Sequence, residues 1–253
     1  MFSQVSLNSL LHIVTPLIVS KESKSRSTVL WKDPHSPSWV ADVFRLWKET
    51  ARPYPTSDYT VFKNGSRSIV ARWKSSDGPV IIKHYKTPGL RRRVRFAFSK
   101  SRCMQNWHMS ELCHSLGLAV PKFIFVAEER WVGLPGRSLS IMEYIKGIPL
   151  HLWATSESRT ATEIREVAVK LAKEIDRLST AMITHGDCKA SNISVTGDHQ
   201  PYFVDLDGAI QHRSRSAFRK AYFRDARRFR ANWLQDDTGE LFSNVFSDHP
   251  LHS

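Results

Sequence analysis

Asp187, Lys189 and Asn192 fall within one short stretch, His185-Gly186-Asp187-Cys188-Lys189-Ala190-Ser191-Asn192, and Asp205 follows Asn192 by 13 positions. Residues 193–195 and 202–204 are β-prone and flank the turn residues Gly197-Asp198, which predicts a short hairpin between Asn192 and Asp205. A hairpin brings its two ends together, so Asn192 and Asp205 can converge on one point. Hard oxygen donors at such a point suit Mg²⁺, a cation held by one or two carboxylates plus substrate phosphates. Asp187 is displaced by about a loop's width, where a carboxylate can take a proton from an attacking hydroxyl. Lys189 lies close enough to reach a transferred phosphoryl group. Asp207 is a second carboxylate two residues after Asp205; Asp205 is favoured because it directly follows the strand, and the spacing leaves both open. Far upstream, Lys83 sits among Val80, Ile81 and Ile82. A lysine there has a buried anionic partner or a ligand phosphate, unless it snorkels from an edge strand.

These residues need elements to hold them. Residues 67–73 and 80–85 read as strands joined by a turn containing Asp77-Gly78. A helix is expected from about 101 to 116, with Met104, Trp107, Leu112 and Leu116 on its buried side and Gly117 ending it. Residues 123–127 and 138–144 read as two more strands. Ile164, Val167, Leu171, Ile175, Leu178 and Met182 recur at steps of 3, 4, 4, 3 and 4, one stripe of a 3.6-residue period. Thr160 with Glu163 has the spacing of a capping box. Asp225 and Arg228, three apart on a further helix, fit an intrahelical pair. The order is β-rich with one helix, then helix-led with a small hairpin, which predicts an α+β chain of two lobes.

The 253 residues carry 37 Lys and Arg against 24 Asp and Glu, a net charge of +13 that points to an anionic partner. A phosphorylated substrate, an anionic membrane surface and nucleic acid all qualify on charge, but no zinc-finger, helix–turn–helix or RNP pattern supports nucleic acid. The 3 cysteines form no CxxC pair and no zinc set, which suits a reducing compartment. The most apolar stretch, residues 10–19, is interrupted by His12, Thr15 and Pro16 and is too short to span a membrane. The first residues lack a basic n-region and a small-residue cleavage site. A cytoplasmic protein is expected.

HGD-x-K-x-x-N, with a hydrophobic pair and Asp about thirteen residues on, resembles the catalytic and metal-binding loops of the protein-kinase-like superfamily. From about 60 to 235 the chain resembles, more specifically, the lipopolysaccharide kinase (Kdo/WaaP) family. The likeness rests on Val80-Ile81-Ile82-Lys83-His84-Tyr85-Lys86 with the arginines after it, Ser101-Arg102 leading to Trp107, and residues 117–121. Met142-Glu143-Tyr144 and Asp225 with residues 228–233 extend it. The resemblance implies a bilobal protein-kinase-like fold: a small antiparallel-sheet lobe with one main helix over 53–145, and a mainly helical lobe carrying the catalytic and metal-binding loops over 146–253. Residues 1–52 are left as an N-terminal extension with no assigned structure. It implies ATP and Mg²⁺ as cofactors, with Asp187 as catalytic base, Lys189 beside it, and Asn192 and Asp205 on the metal. Lys83 would contact the α- and β-phosphates, Gly65 would lie in the loop over them, and Glu143 and Ile145 would offer backbone to adenine. The acceptor it implies is a heptose or Kdo hydroxyl of the lipopolysaccharide core, or another anionic glycolipid, met at the cytoplasmic face of the inner membrane. There is no GxGxxG and no Walker A. The family often has Glu immediately before the tryptophan of the first-lobe helix, and this chain has Asn106.

Alternatives stand beside this expectation. The same chemistry serves a protein or small-molecule kinase, although no Ala-Pro-Glu element follows Asp207. A non-catalytic pseudokinase would suit Asn106, and a nucleic-acid-binding protein would suit the charge. Locally, His185 reads as bracing the loop by hydrogen bonds, Cys188 as a small filler, Trp107 and Trp233 as core, and the arginines at 91–95 and 213–230 as solvated faces or a landing surface for phosphate-bearing lipid.

Overall fold

The computed structural model describes residues 18–21, 26–50, 59–87, 89, 101–132, 134–233, 238–242 and 245–246. The arginines at 91–95, the apolar stretch before residue 18 and the turn at 51–55 lie outside the described residues. The chain is a mixed α/β protein with antiparallel sheet, in two compact units. One comprises the described residues up to Cys103 with Ile124–Met142, and the other Met104–Phe123 with the residues from Glu143 onward.

The first unit is built on strands β1 (Ile18–Lys21), β2 (Arg26–Lys32), β3 (Tyr59–Asn64), β4 (Ser68–Ser75), β5 (Gly78–Tyr85), β6 (Phe123–Trp131) and β7 (Leu134–Glu143). They hydrogen-bond in the order β1-β2-β6-β7-β5-β4-β3. β4 and β5 pair antiparallel from Ser68↔Tyr85 to Ser75↔Gly78, the hairpin expected from Asp77-Gly78. Gly78 takes a φ of 114°, a conformation that suits a residue without Cβ. Helix α1 (Trp39–Thr50) covers one face of the sheet. Its Val40, Val43 and Trp47 recur at helical spacing and are buried against Trp73, Val80, Ile82, Phe125, Leu139 and Ile141. The sequence reading left this helix in an extension. Its i, i+3, i+7 pattern was present, but twelve residues of periodicity have no meaning until a sheet face is known to receive them.

Strand alternation turns Val80 and Ile82 toward α1 and sends Ile81, Lys83 and Tyr85 to the opposite face. β5 lies between β7 and β4. Lys83 is therefore not the snorkelling edge lysine that its composition allows; it is 6% exposed, with Nζ 5.3 Å from the Tyr85 ring centroid.

The second unit begins within helix α2 (Arg102–Ser115) and continues through β8 (Gly147–Pro149), α3 (Leu150–Ala154) and α4 (Ala161–Thr180). After it come β9 (Ile183–Thr184), β10 (Ile193–Thr196), β11 (Pro201–Phe203), β12 (Ile210–Gln211), α5 (Arg215–Arg230) and α6 (Thr238–Phe242). The sequence reading cuts the chain once, near residue 145. In the structure residues 104–123 join the second unit, because Met109, Cys113, Leu118 and Val120 are part of its core. The stripe on α4 packs as its period requires: Ile164, Val167, Leu171, Ile175 and Leu178 are all buried. Met182 lies beyond the helix end. The Thr160–Glu163 capping box forms in both directions. Among the described residues no helix is long and apolar enough to cross a membrane.

His84, on β5, is buried, and among the described residues neither ring nitrogen has a hydrogen-bond partner. Burial first, then the charges of Arg137 and Lys86, lower its pKa to about 4, against an opposing effect of Glu129. Unfolded chain takes up this proton near pH 6.5, and folded chain only near pH 4. The associated stability is thus present above pH 6.5 and is lost as pH falls toward 4. Urea titrations at pH 7 and pH 5 should show a larger loss of unfolding free energy for wild type than for His84→Leu; equal losses would remove His84 from the account.

Candidate active site

Thr184 ends β9, and the next residues must turn away beneath β12. β9 and β12 pair antiparallel through Ile210↔Thr184 and Gln211↔Ile183, which lays residues 205–208 alongside His185, Gly186 and Asp187. The approach is close enough that a Cβ on Gly186 would run into the Gly208 carbonyl, and Gly186 itself has a φ of 77°. Glycine is required there on both counts. The Gly186 N–H donates to Asp225 Oδ2 at 2.9 Å. Asp225 is a buried residue of α5, 4% exposed.

Beyond Gly186 the loop folds around Asp187. The Lys189 N–H donates to the Asp187 carbonyl at 2.8 Å, and a 3-10 turn over Ala190–Asn192 returns Asn192 to the start. Asn192 Nδ2 then donates to the Asp187 carbonyl at 2.9 Å and to its Oδ2 at 3.2 Å. Oδ1 of Asp187 meets Arg228 Nη1 at 2.6 Å and Lys189 Nζ at 3.2 Å. The expected hairpin follows, with Ile193↔Phe203 its first pair. The Val204 N–H donates to the Asn192 carbonyl at 3.0 Å, which places Asp205 beside Asn192 in the backbone ladder. Asp187, Lys189, Asn192 and Asp205 are thus gathered in the second unit by one loop and one hairpin. Glu143 and Ile145 belong to the same unit but to another part of it. The Glu143 N–H donates to the Lys122 carbonyl, and the Ile145 carbonyl accepts from Gly147 N–H, both at 2.9 Å. Lys83 and Gly65 belong to the first unit; the Gly65 N–H closes the β3–β4 turn onto Ser68 O at 2.9 Å.

The donor set fits a hard cation that other ligands complete. Among the described residues no group of three or more His, Cys, Asp or Glu could hold a metal by itself. Asn192 spends its amide nitrogen on Asp187, leaving the side-chain oxygen as an acceptor directed elsewhere. One amide oxygen and one carboxylate are what Mg²⁺ takes when phosphates and water fill its remaining positions. Asp207 is differently engaged: its Oδ1 accepts from Asn106 Nδ2 at 2.6 Å, while its N–H donates to Asp205 Oδ1 at 3.3 Å.

His185 is buried, and among the described residues neither ring nitrogen has a hydrogen-bond partner. Burial lowers its pKa against the charges of Asp225, Asp205 and Asp187, so the ring is neutral. It packs on Phe203, ring centroids 5.3 Å apart, and so supports the loop by ring packing. Burial raises the Cys188 thiol, which keeps it protonated and inert. Trp107 and Trp233 are core residues, 3% and 6% exposed.

Two expectations are corrected. Asp225 and Arg228 do not spend themselves on each other: Asp225 holds the Gly186 N–H, and Arg228 holds both the Gly186 carbonyl, at 3.1 Å, and Asp187. Arg228 is therefore a site residue that the sequence reading assigned to its own helix; three-residue spacing cannot reveal a partner 41 positions away. The other is His185, which packs in the loop rather than bracing it by hydrogen bonds; Asn106, where the family often carries Glu, holds Asp207.

The lipopolysaccharide kinase (Kdo/WaaP) family profile matches residues 63–244, and the chain belongs to this family. It is also similar to an EKC/KEOPS complex subunit of Schizosaccharomyces pombe, 22% identical over 193 residues, with 72% of each chain covered.

Gly186→Ala should destabilise the protein by about 1–3 kcal/mol, the cost of forcing a side chain into left-handed backbone against a carbonyl. Gly197→Ala, where an added Cβ meets nothing within 4 Å, should be nearly neutral. Chemical denaturation of the two variants makes the comparison, and equal stability would show that the loop approach is not tight.

Proposed function

We propose that the chain is an ATP- and Mg²⁺-dependent phosphotransferase of bilobal, protein-kinase-like architecture, and that its acceptor is a sugar hydroxyl, heptose or Kdo, of the lipopolysaccharide inner core. The observation that carries this reading is the arrangement on Asp187: a carboxylate bridged by Asn192, Lys189 and Arg228, in a loop laid beside Asp205. Membership of the Kdo/WaaP family supports the kinase class and the sugar acceptor.

In this reading Asp187 orients the acceptor hydroxyl and takes its proton as the oxygen attacks the γ-phosphorus. Lys189 and Arg228 hold the carboxylate in place and offset charge that gathers on the transferred group. Asn192 and Asp205 hold Mg²⁺, which when bound supplies charge neutralisation on the phosphates. Lys83 pairs with the α- and β-phosphates, Gly65 lies in the loop above them, and the backbone at Glu143 and Ile145 meets adenine. Phosphoryl transfer asks for positioning and electrostatics more than for covalent help, so this set suffices. The exposed basic face of α5, including Arg219, Lys220, Arg224 and Arg227, favours contact with an anionic membrane surface at about 1 kcal/mol per residue. Work at the cytoplasmic face of the inner membrane follows.

The likeness to the EKC/KEOPS complex subunit favours a second reading, in which the same chemistry acts on a protein within a complex. Transfer of the ATP γ-phosphate to lipopolysaccharide truncated to its inner core, with Mg²⁺, separates the two. Wild type should phosphorylate the sugar, and Asp187→Ala should fall by a factor of about 10² or more. Phosphate on a copurifying protein and none on lipopolysaccharide would select the second reading. Absence of both transfer and Mg²⁺-dependent nucleotide binding would sink the enzyme.

A further inference from the structure

The first unit contains a cavity of roughly 270 Å³ at the end of its sheet where β4 begins and β5 finishes. Its wall brings Arg67, Lys86 and Arg102 together with the hydroxyls of Ser66, Thr87 and Ser101, and among the described residues no Asp or Glu lines it. Arg67 and Arg102 make no ion pair among the described residues, and both are exposed. Among the described residues, the Lys86 ammonium meets the side-chain oxygen of Asn64, at 3.5 Å. Helix α2 starts at Arg102, and the first N–H groups of a helix have no acceptor within it.

Three cationic side chains around one concavity repel one another, so the protein gains when an anion joins them. Guanidinium groups pair with phosphate oxygens in bidentate fashion, and hydroxyls supply further donors. The volume falls just below the ~300–1,000 Å³ range of drug-sized ligand sites, enough for a phosphate ester on a small body.

We propose that this cavity binds the phosphoryl group of a phosphate monoester, at a site separate from that of the nucleotide. The phosphate has two available sources, a phosphorylated sugar such as a glycolipid carries, or the free anion.

The full chain would be titrated calorimetrically at constant ionic strength with inorganic phosphate, glucose 6-phosphate and glucose. One series would contain saturating non-hydrolysable ATP analogue and Mg²⁺, and a second would not. Glucose 6-phosphate should bind saturably in both series and glucose in neither. Arg67→Ala/Arg102→Ala should weaken binding at least tenfold. Arg102→Lys, which keeps the charge and loses the planar fork, should fall between. Inorganic phosphate binding as tightly as the sugar phosphate supports the free anion as the source; sugar phosphate at least tenfold tighter supports the carried one. No saturable binding, binding unchanged in the double variant, or loss of binding in the presence of the nucleotide analogue would each overturn the proposal. The last outcome would assign the cavity to the nucleotide. Because both arginines are exposed, the double variant should keep the wild-type melting temperature without ligand, so that lost affinity reports the site. This measurement does not depend on the acceptor: failure of transfer to lipopolysaccharide leaves it intact.

Discussion

The second unit is organised by one close approach, the backbone of Gly186 against that of Gly208. Two glycines meet where any side chain on Gly186 would collide with a carbonyl. The β9–β12 ladder enforces the approach, and Asp225 secures it by accepting the Gly186 N–H. A buried carboxylate left without donors is costly, so Asp225 and the loop stabilise each other. Everything chemical in this unit hangs from that point: Asp187 is the next residue along one strand of the contact, and Asp205 to Asp207 lie just before its other side.

The charges near Asp187 follow from the same constraint. Once the loop is pinned, the carboxylate of Asp187 faces α5 and its own 3-10 turn, where Arg228, Lys189 and Asn192 meet it. A carboxylate with partners on both oxygens is held in one orientation without being buried. In the proposed phosphotransferase, that orientation presents an oxygen to the incoming hydroxyl. Beneath it, His185 and Cys188 are neutral and buried, so the floor of the loop contributes packing and no competing charge.

Asn106 shows how one substitution changes meaning in three dimensions. By position it occupies the place where the family often carries a glutamate. Its amide donates to Asp207, a task a carboxylate could not perform, because two ionised acceptors would repel. Asn106 thereby distinguishes the adjacent carboxylates: Asp207 is tied to α2, while Asp205 keeps its place in the ladder beside Asn192.

Local pattern determined much of this protein. The α4 stripe and its capping box, the β4–β5 hairpin and the hairpin between Asn192 and Asp205 were legible because each is settled by residues within a few positions of one another. The spacing of Asp187, Asn192 and Asp205 was legible for the same reason, since a loop and a hairpin are local objects. Long-range choices were not. Helix α1 joined the core only because a sheet face was waiting for Val40, Val43 and Trp47. Lys83 became an interior lysine only when β7 paired on its far side. Arg228 turned from its helical neighbour to a carboxylate brought from elsewhere in the chain, and Asn106 did the same with Asp207. In each case the deciding partner lies tens of residues away, and only the folded backbone brings the two within hydrogen-bonding or packing distance.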